Sequence, residues 1–147
     1  MDLSQANAHI AQLGQELGLP PDLSLDEGGV CMLTVGEDQL VVSLGHDAAG
    51  ALRVLICLDD VMPTGAQLSE IMVANFGGAR TEGGTFALTP VTGALVLQRR
   101  CHADDLNGGL SAVVAGLVRV ARHWRTRLQA PASAVAQAPA AFLGARA

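Results

Sequence analysis

The chain has 147 residues and a mass of 15.1 kDa, which is room for one domain with one modest core. Half of the residues are hydrophobic, which excludes an intrinsically disordered protein, and only 3% are aromatic, so the core must be built from Leu, Val, Ile and Ala. Charged residues make up 16%, against about 25% in an average soluble domain, so part of the aliphatic surface is expected to be covered by a second copy or a held partner.

A net charge of −5 and a pI near 5.1 repel phosphate backbones, and the scarcity of aromatics removes stacking platforms for bases. Nucleic acid is therefore not an expected partner. No apolar run reaches the roughly 18 residues of a membrane span, so no membrane association is expected. The polar stretch after Asp2 does not read as a secretory signal. Cys31, Cys57 and Cys101 form no paired framework and fit a reducing, cytoplasmic setting.

In chain order, Ser4 reads as an N-cap, with Ala6, Ile10, Leu13 and Leu17 following at helical spacing. Gly18 and Pro20-Pro21 end that helix. Val30 to Val35 alternates as a strand, with Cys31, Leu33 and Val35 on one face and Met32 and Thr34 on the other. Leu40 to Leu44 makes a second strand after a turn at Gly36-Glu37-Asp38, and a loop from Gly45 to Gly50 leads to a third, Leu52 to Leu58. Such short links predict an antiparallel meander.

Asp59 to Gly65 breaks the strand pattern, and Leu68, Ile71, Met72 and Phe76 then mark a second helix ended by Gly77-Gly78. The glycine-rich stretch from Gly77 to Gly84 reads as this helix stop followed by a mobile turn. Thr85 to Thr89 and Ala94 to Cys101 read as strands, with Pro90 keeping the first short or at an edge. The last helix carries Leu106, Leu110, Val113, Leu117, Val120 and Trp124 at steps of four and three. Asp104 and Asp105 are read at its start and Arg119, Arg122, Arg125 and Arg127 towards its end, as the helix dipole favours. Gly108 and Gly109 are read as positions of close packing against the sheet. Residues 1–129 thus form the domain, and residues 130–147, rich in Ala and Pro, read as a flexible tail. The expected fold class is α+β, an antiparallel, twisted five-stranded sheet with three helices in the order α-β-β-β-α-β-β-α.

Candidate chemistry is thin. Neighbours on a strand point to opposite faces, so Cys101 and His102 are not expected to share a ligand. His46-Asp47 sits in a loop with no marked nucleophile beside it. Asp59-Asp60 and Asp104-Asp105 suit turn and capping roles, and the glycine-rich stretch lacks the lysine and spacing of a phosphate loop. No catalytic residue, metal or cofactor is expected. Apolar surface is in excess instead: the second face of the meander still carries Met32, Val41, Leu55 and Cys57, and the second helix adds Ile71, Met72, Val73 and Phe76. One surface for self-association and one for an extended guest chain would account for it.

Leu17-Gly18-Leu19-Pro20, the run from Leu25 to Val35 (LDEGGVCMLTV) and the run from Leu40 to Leu44 (LVVSL) resemble the class I type III secretion chaperones of the Tir chaperone family. The resemblance covers roughly Ser4 to Leu128 and includes the closing Leu-rich helix. It implies a homodimer in the bacterial cytoplasm that binds the N-terminal segment of a secreted effector, keeps it secretion-competent without using ATP, and helps present it to the export apparatus, including its ATPase. Carried onto this sequence, it implies a dimer interface at Leu68, Ile71, Met72, Phe76 and Phe86 and a cargo surface at Ile10, Leu13, Met32, Val41 and Leu55. Two alternatives remain open at this point. One is a dimeric interaction module of the same fold that acts in regulation and not in secretion, and the other is an enzyme or metal protein using Cys101, His102 or His46.

Overall fold

The computed structural model of the protein describes residues 1–19 and 22–130; the stretch read as a tail lies outside the described residues from residue 131 on. Helix α1 spans Leu3–Glu16. Its N-cap is Asp2 and not Ser4, because the cap that forms is reciprocal: the Gln5 amide donates to Asp2 Oδ1 (2.8 Å) and the Asp2 amide donates to Gln5 Oε1 (2.9 Å). A cap at Ser4 would need Asn7 in the answering position. The side-chain oxygen of Asn7 is instead taken by the Leu25 amide at 3.0 Å, which ties the following loop to the helix.

Strands β1 (Val30–Val35), β2 (Leu40–His46), β3 (Leu52–Leu58), β4 (Thr85–Leu88) and β5 (Leu95–Cys101) form one antiparallel sheet in the order β1-β2-β3-β5-β4. The α+β architecture, the element order and the meander agree with the sequence reading, with strand ends moved by one or two residues. Helix α2 is Gly65–Asn75, capped by a second reciprocal box between Thr64 and Gln67. Helix α3, Leu110–Gln129, crosses β3 and β5, with α1 beside it. Between helices and sheet lies the aliphatic core, in which Ile10, Leu13, Leu44, Val54, Ile56, Leu97, Leu117 and Trp124 are fully buried. Helix α2 sits at the β4 end of the sheet.

The helical stripe that begins at Leu106 is broken. Ala103–Leu106 is a single 3-10 turn, closed by the His102 amide donating to Asp105 Oδ2 (2.8 Å), and α3 begins only after Gly109, which takes φ +85°. Asp104 and Asp105 therefore lie ahead of α3, and Gly108 faces open space, so neither glycine serves close packing. Leu106 is nonetheless buried, since its side chain can reach the core from either backbone form.

The arginines of α3 do more than answer its dipole, for each grips an acid on a different segment. Arg122 Nε bonds Asp38 Oδ2 at 3.0 Å, Arg125 Nε bonds Asp60 Oδ2 at 2.7 Å, Arg127 Nε bonds Glu70 Oε2 at 3.0 Å and Arg119 pairs with Glu82 at 3.1 Å. Gly36, at φ +77°, lets Arg122 lie against the β1–β2 turn, where a Cβ would collide with the guanidinium. The stretch from Gly77 to Gly84 is pinned, contrary to the mobile turn expected. Thr81 is fully buried with Oγ1 donating to the Gly84 carbonyl (2.6 Å), and Arg99 donates to the Glu82 carbonyl (2.8 Å).

Candidate polypeptide-binding surfaces

A sheet that is not a barrel has two edges, and each outward N–H and C=O there must find a partner or stay open. In an antiparallel ladder the outward groups belong to alternate residues. On β4 they are those of Gly84, Phe86 and Leu88. Thr81 closes the first: its carbonyl accepts from the Gly84 amide (2.8 Å) and its hydroxyl donates to the Gly84 carbonyl. Asn75, the last residue of α2, closes the second: the Phe86 amide donates to Asn75 Oδ1 (2.8 Å), and Asn75 Nδ2 donates to the Phe86 carbonyl (3.0 Å). On β1 the outward residues are Val30, Met32 and Thr34. Asp26 closes Val30, taking its amide on Oδ1 (2.9 Å) and donating its own amide to the Val30 carbonyl (2.8 Å). Met32 and Thr34 have no partner for their outward backbone groups among the described residues, so β1 is the open edge.

The end of this edge runs into a groove between α1 and α3. Leu13, Leu17, Val35, Val114, Ala115 and Val118 line it, Arg119 and Arg122 stand at its rim, and its volume is about 350 Å³. Leu17 is 44% exposed at its mouth and Leu13 lies at its floor.

A second apolar surface lies at the opposite end of the sheet. Met72 and Val73 of α2 and its C-cap Phe76 are exposed, Phe76 by 90%, and Leu88 lies beside Met72. A depression of about 260 Å³ between α2 and β4, walled by Leu68, Ile71, Met72, Phe86 and Leu88, opens onto it.

The residues anticipated for these surfaces are therefore divided. Of the five expected to receive cargo, Met32 and Val41 are exposed and Leu55 half-buried on the outer sheet face, and Leu13 floors the groove on the other face. Ile10 is 0% exposed, so it is a core residue out of reach of any guest. The expected set thus falls on opposite faces of the sheet, joined only by the β1 edge. Of the five expected at a dimer interface, Met72 and Phe76 are exposed and Leu68 half-buried, whereas Ile71 and Phe86 point into the core. Phe86 stacks edge-on against Trp124, the largest side chain there, because β4 presents alternate residues inward. Leu17, Val35, Val118, Val73 and Leu88 also belong to these surfaces but are not among the residues expected at either one. Val73 is legible as part of the apolar excess of the second helix and Leu17 as a member of the apolar stripe of the first, but the groove walls depend on how α1 and α3 meet.

The chemical candidates are engaged elsewhere. Cys101 is buried and His102 exposed, so the pair points apart, and burial pushes the thiols of Cys31, Cys57 and Cys101 upward. Asp47 does not orient His46. Its carboxylate accepts from Arg100 Nε (2.6 Å) and from the amides of Ala49 and Ala51, which holds its pKa far below the usual carboxylate range, while His46 Nε2 lies 3.2 Å from the Met1 carbonyl. Among the described residues no group of three His, Cys, Asp or Glu is placed to hold a metal ion, and no helix is long and apolar enough to cross a membrane.

One open strand edge, an adjoining groove and a separate apolar patch on an α+β domain define a module suited to polypeptides. The chain belongs to the Tir chaperone protein (CesT) family, whose model matches residues 8–125. Among solved structures it is similar to a chain of the ExsC–ExsE complex, with 28% identity and a TM-score of 0.72 over 87% of this chain and 97% of that one. It also resembles a chain of the Yersinia pestis type III secretion chaperone SycH in complex with a stable fragment of YscM2, at 21% identity and a TM-score of 0.66 over 81% and 98%. A chain of the HopA1–SchA chaperone–effector complex aligns at 18% identity and a TM-score of 0.69 over 86% and 98%. These last two likenesses are of fold alone. Comparison with curated proteins finds no sequence match.

Proposed function

We propose that the protein is a cytoplasmic type III secretion chaperone that holds an N-terminal segment of a secreted effector as an added strand on the β1 edge, without catalysing a reaction. The observation that carries this reading is the backbone at Met32 and Thr34, open between a closed position at Val30 and the groove at Val35. An added strand satisfies those groups, and its alternate side chains fall on the two sheet faces. One set reaches Leu17 and the groove wall at Val35, and the other reaches Met32 and Val41. Membership of the family and the likeness to the ExsC–ExsE complex support the same reading. The patch of Met72, Val73 and Phe76 serves a homodimer, which would place two guest edges on one particle. Docking on the export apparatus, including its ATPase, is the expected next step for a loaded dimer.

The test is co-expression with N-terminal segments of secreted effectors from the same bacterium, for the wild type and for Thr34→Pro. Proline removes the outward N–H and costs no β1–β2 bond, so the variant should fold as before. An effector segment should co-purify with the wild type and be held about tenfold more weakly by the variant. A wild type that retains no effector segment, or a folded variant that binds as well, would overturn the proposal.

A further inference from the structure

We infer that Asn75 is a latch on the β4 edge, and that this one side chain prevents a second copy of the chain from joining its sheet to this one. The two edges differ in how they are closed. At β1 a pair of residues is left open, whereas at β4 both Gly84 and Phe86 are occupied from within the chain. Asn75 supplies what a neighbouring strand would supply, an acceptor for the Phe86 amide and a donor for the Phe86 carbonyl, from one planar amide. Aspartate carries only the acceptor and alanine neither.

The occupant that the latch excludes is a second copy. Edge strands pair with their own kind about a twofold axis, residue i of one copy against residue j of the other and j against i. The exposed Met72 and Leu88 beside this edge give such a pair an apolar seat. With Asn75 in place, only the outward groups of Leu88 remain for a neighbour, too few to anchor a strand. Copies meeting at this end must then do so through side chains of α2. The same latch leaves β1 as the place where a foreign strand can be added.

The test places Asn75→Ala in a Phe76→Asp background, which sets aside side-chain packing on α2 and separates this inference from the homodimer proposed above. Sedimentation equilibrium reads self-association, and amide hydrogen exchange reads the Phe86 N–H. The double variant should self-associate about tenfold or more tightly than Phe76→Asp alone. Adding Leu88→Pro, which removes an outward N–H without touching the β4–β5 bonds, should reverse the gain. Association equal to that of Phe76→Asp alone, or association that Leu88→Pro leaves intact, would overturn the latch. Should Asn75→Ala not fold, Asn75→Asp keeps the acceptor and loses the donor. It should associate to an intermediate degree with Phe86 still protected from exchange, and no gain in association would overturn the inference equally.

Discussion

The ring of Phe86 meets the ring of Trp124 edge-on, with centroids 5.5 Å apart and planes at 63°. This contact ties the short strand β4 to the C-terminal half of α3, so the value of Phe86 lies in the fold. Phe86→Ala should cost about 3–5 kcal/mol of unfolding free energy. In the dissociated monomer, Phe76→Ala, at a side chain that is 90% exposed there, should change it by under about 0.5 kcal/mol. Urea unfolding of both variants checks this, and equal losses would contradict the inward placement of Phe86.

Phe76→Asp should separate the proposed dimer while leaving the monomer folded, because the charge is buried only when a second copy covers it. Light scattering coupled to size exclusion reads the result. A wild type that is monomeric would overturn the proposed dimer, and a variant that stays dimeric would move the self-association surface elsewhere. Ile71→Asp is the poorer probe, since Ile71 is a core residue and its loss of association would be confused with unfolding.

Guest binding should respond to Leu17 and not to Ile10. Leu17→Asp puts a charge at the mouth of the groove, and affinity for an effector segment should drop about tenfold at unchanged stability, as the loss of one apolar anchor implies. Ile10→Ala opens a core cavity and should cost about 2–5 kcal/mol of stability while the folded protein binds as before. Calorimetric titration beside thermal melts separates the two. Normal affinity in Leu17→Asp would remove the groove from the binding site.

Acid should weaken the fold partly through Asp47. Arg100 and two backbone amides hold its pKa far below that of a free aspartate, so its contribution is complete above the unfolded value of about 3.9. It is lost as the pH falls below that value towards the folded one. The melting-temperature difference between wild type and Asp47→Asn should therefore be constant above about pH 5 and shrink below about pH 4. Asp38, lowered by Arg122, acts in the same direction in both proteins and cancels from that difference. A difference that widens on acidification would refute the assignment.

The elements, their order and the antiparallel meander are legible along the chain, because alternation in β1 to β3 and the 3.6-residue stripe of α3 are written in neighbouring residues. An excess of apolar side chains is legible there too, and Met32, Val41, Met72 and Phe76 are exposed in the folded chain. Which apolar residues stay exposed was beyond the sequence. Ile10 and Met32, or Phe86 and Phe76, have the same character in the chain and opposite fates in the fold, since burial depends on what packs opposite. The open edge at Met32 and Thr34 was equally hidden. It exists because Asp26, Asn75 and Thr81 close every other outward position but Leu88, through hydrogen bonds that only the folded chain brings within reach.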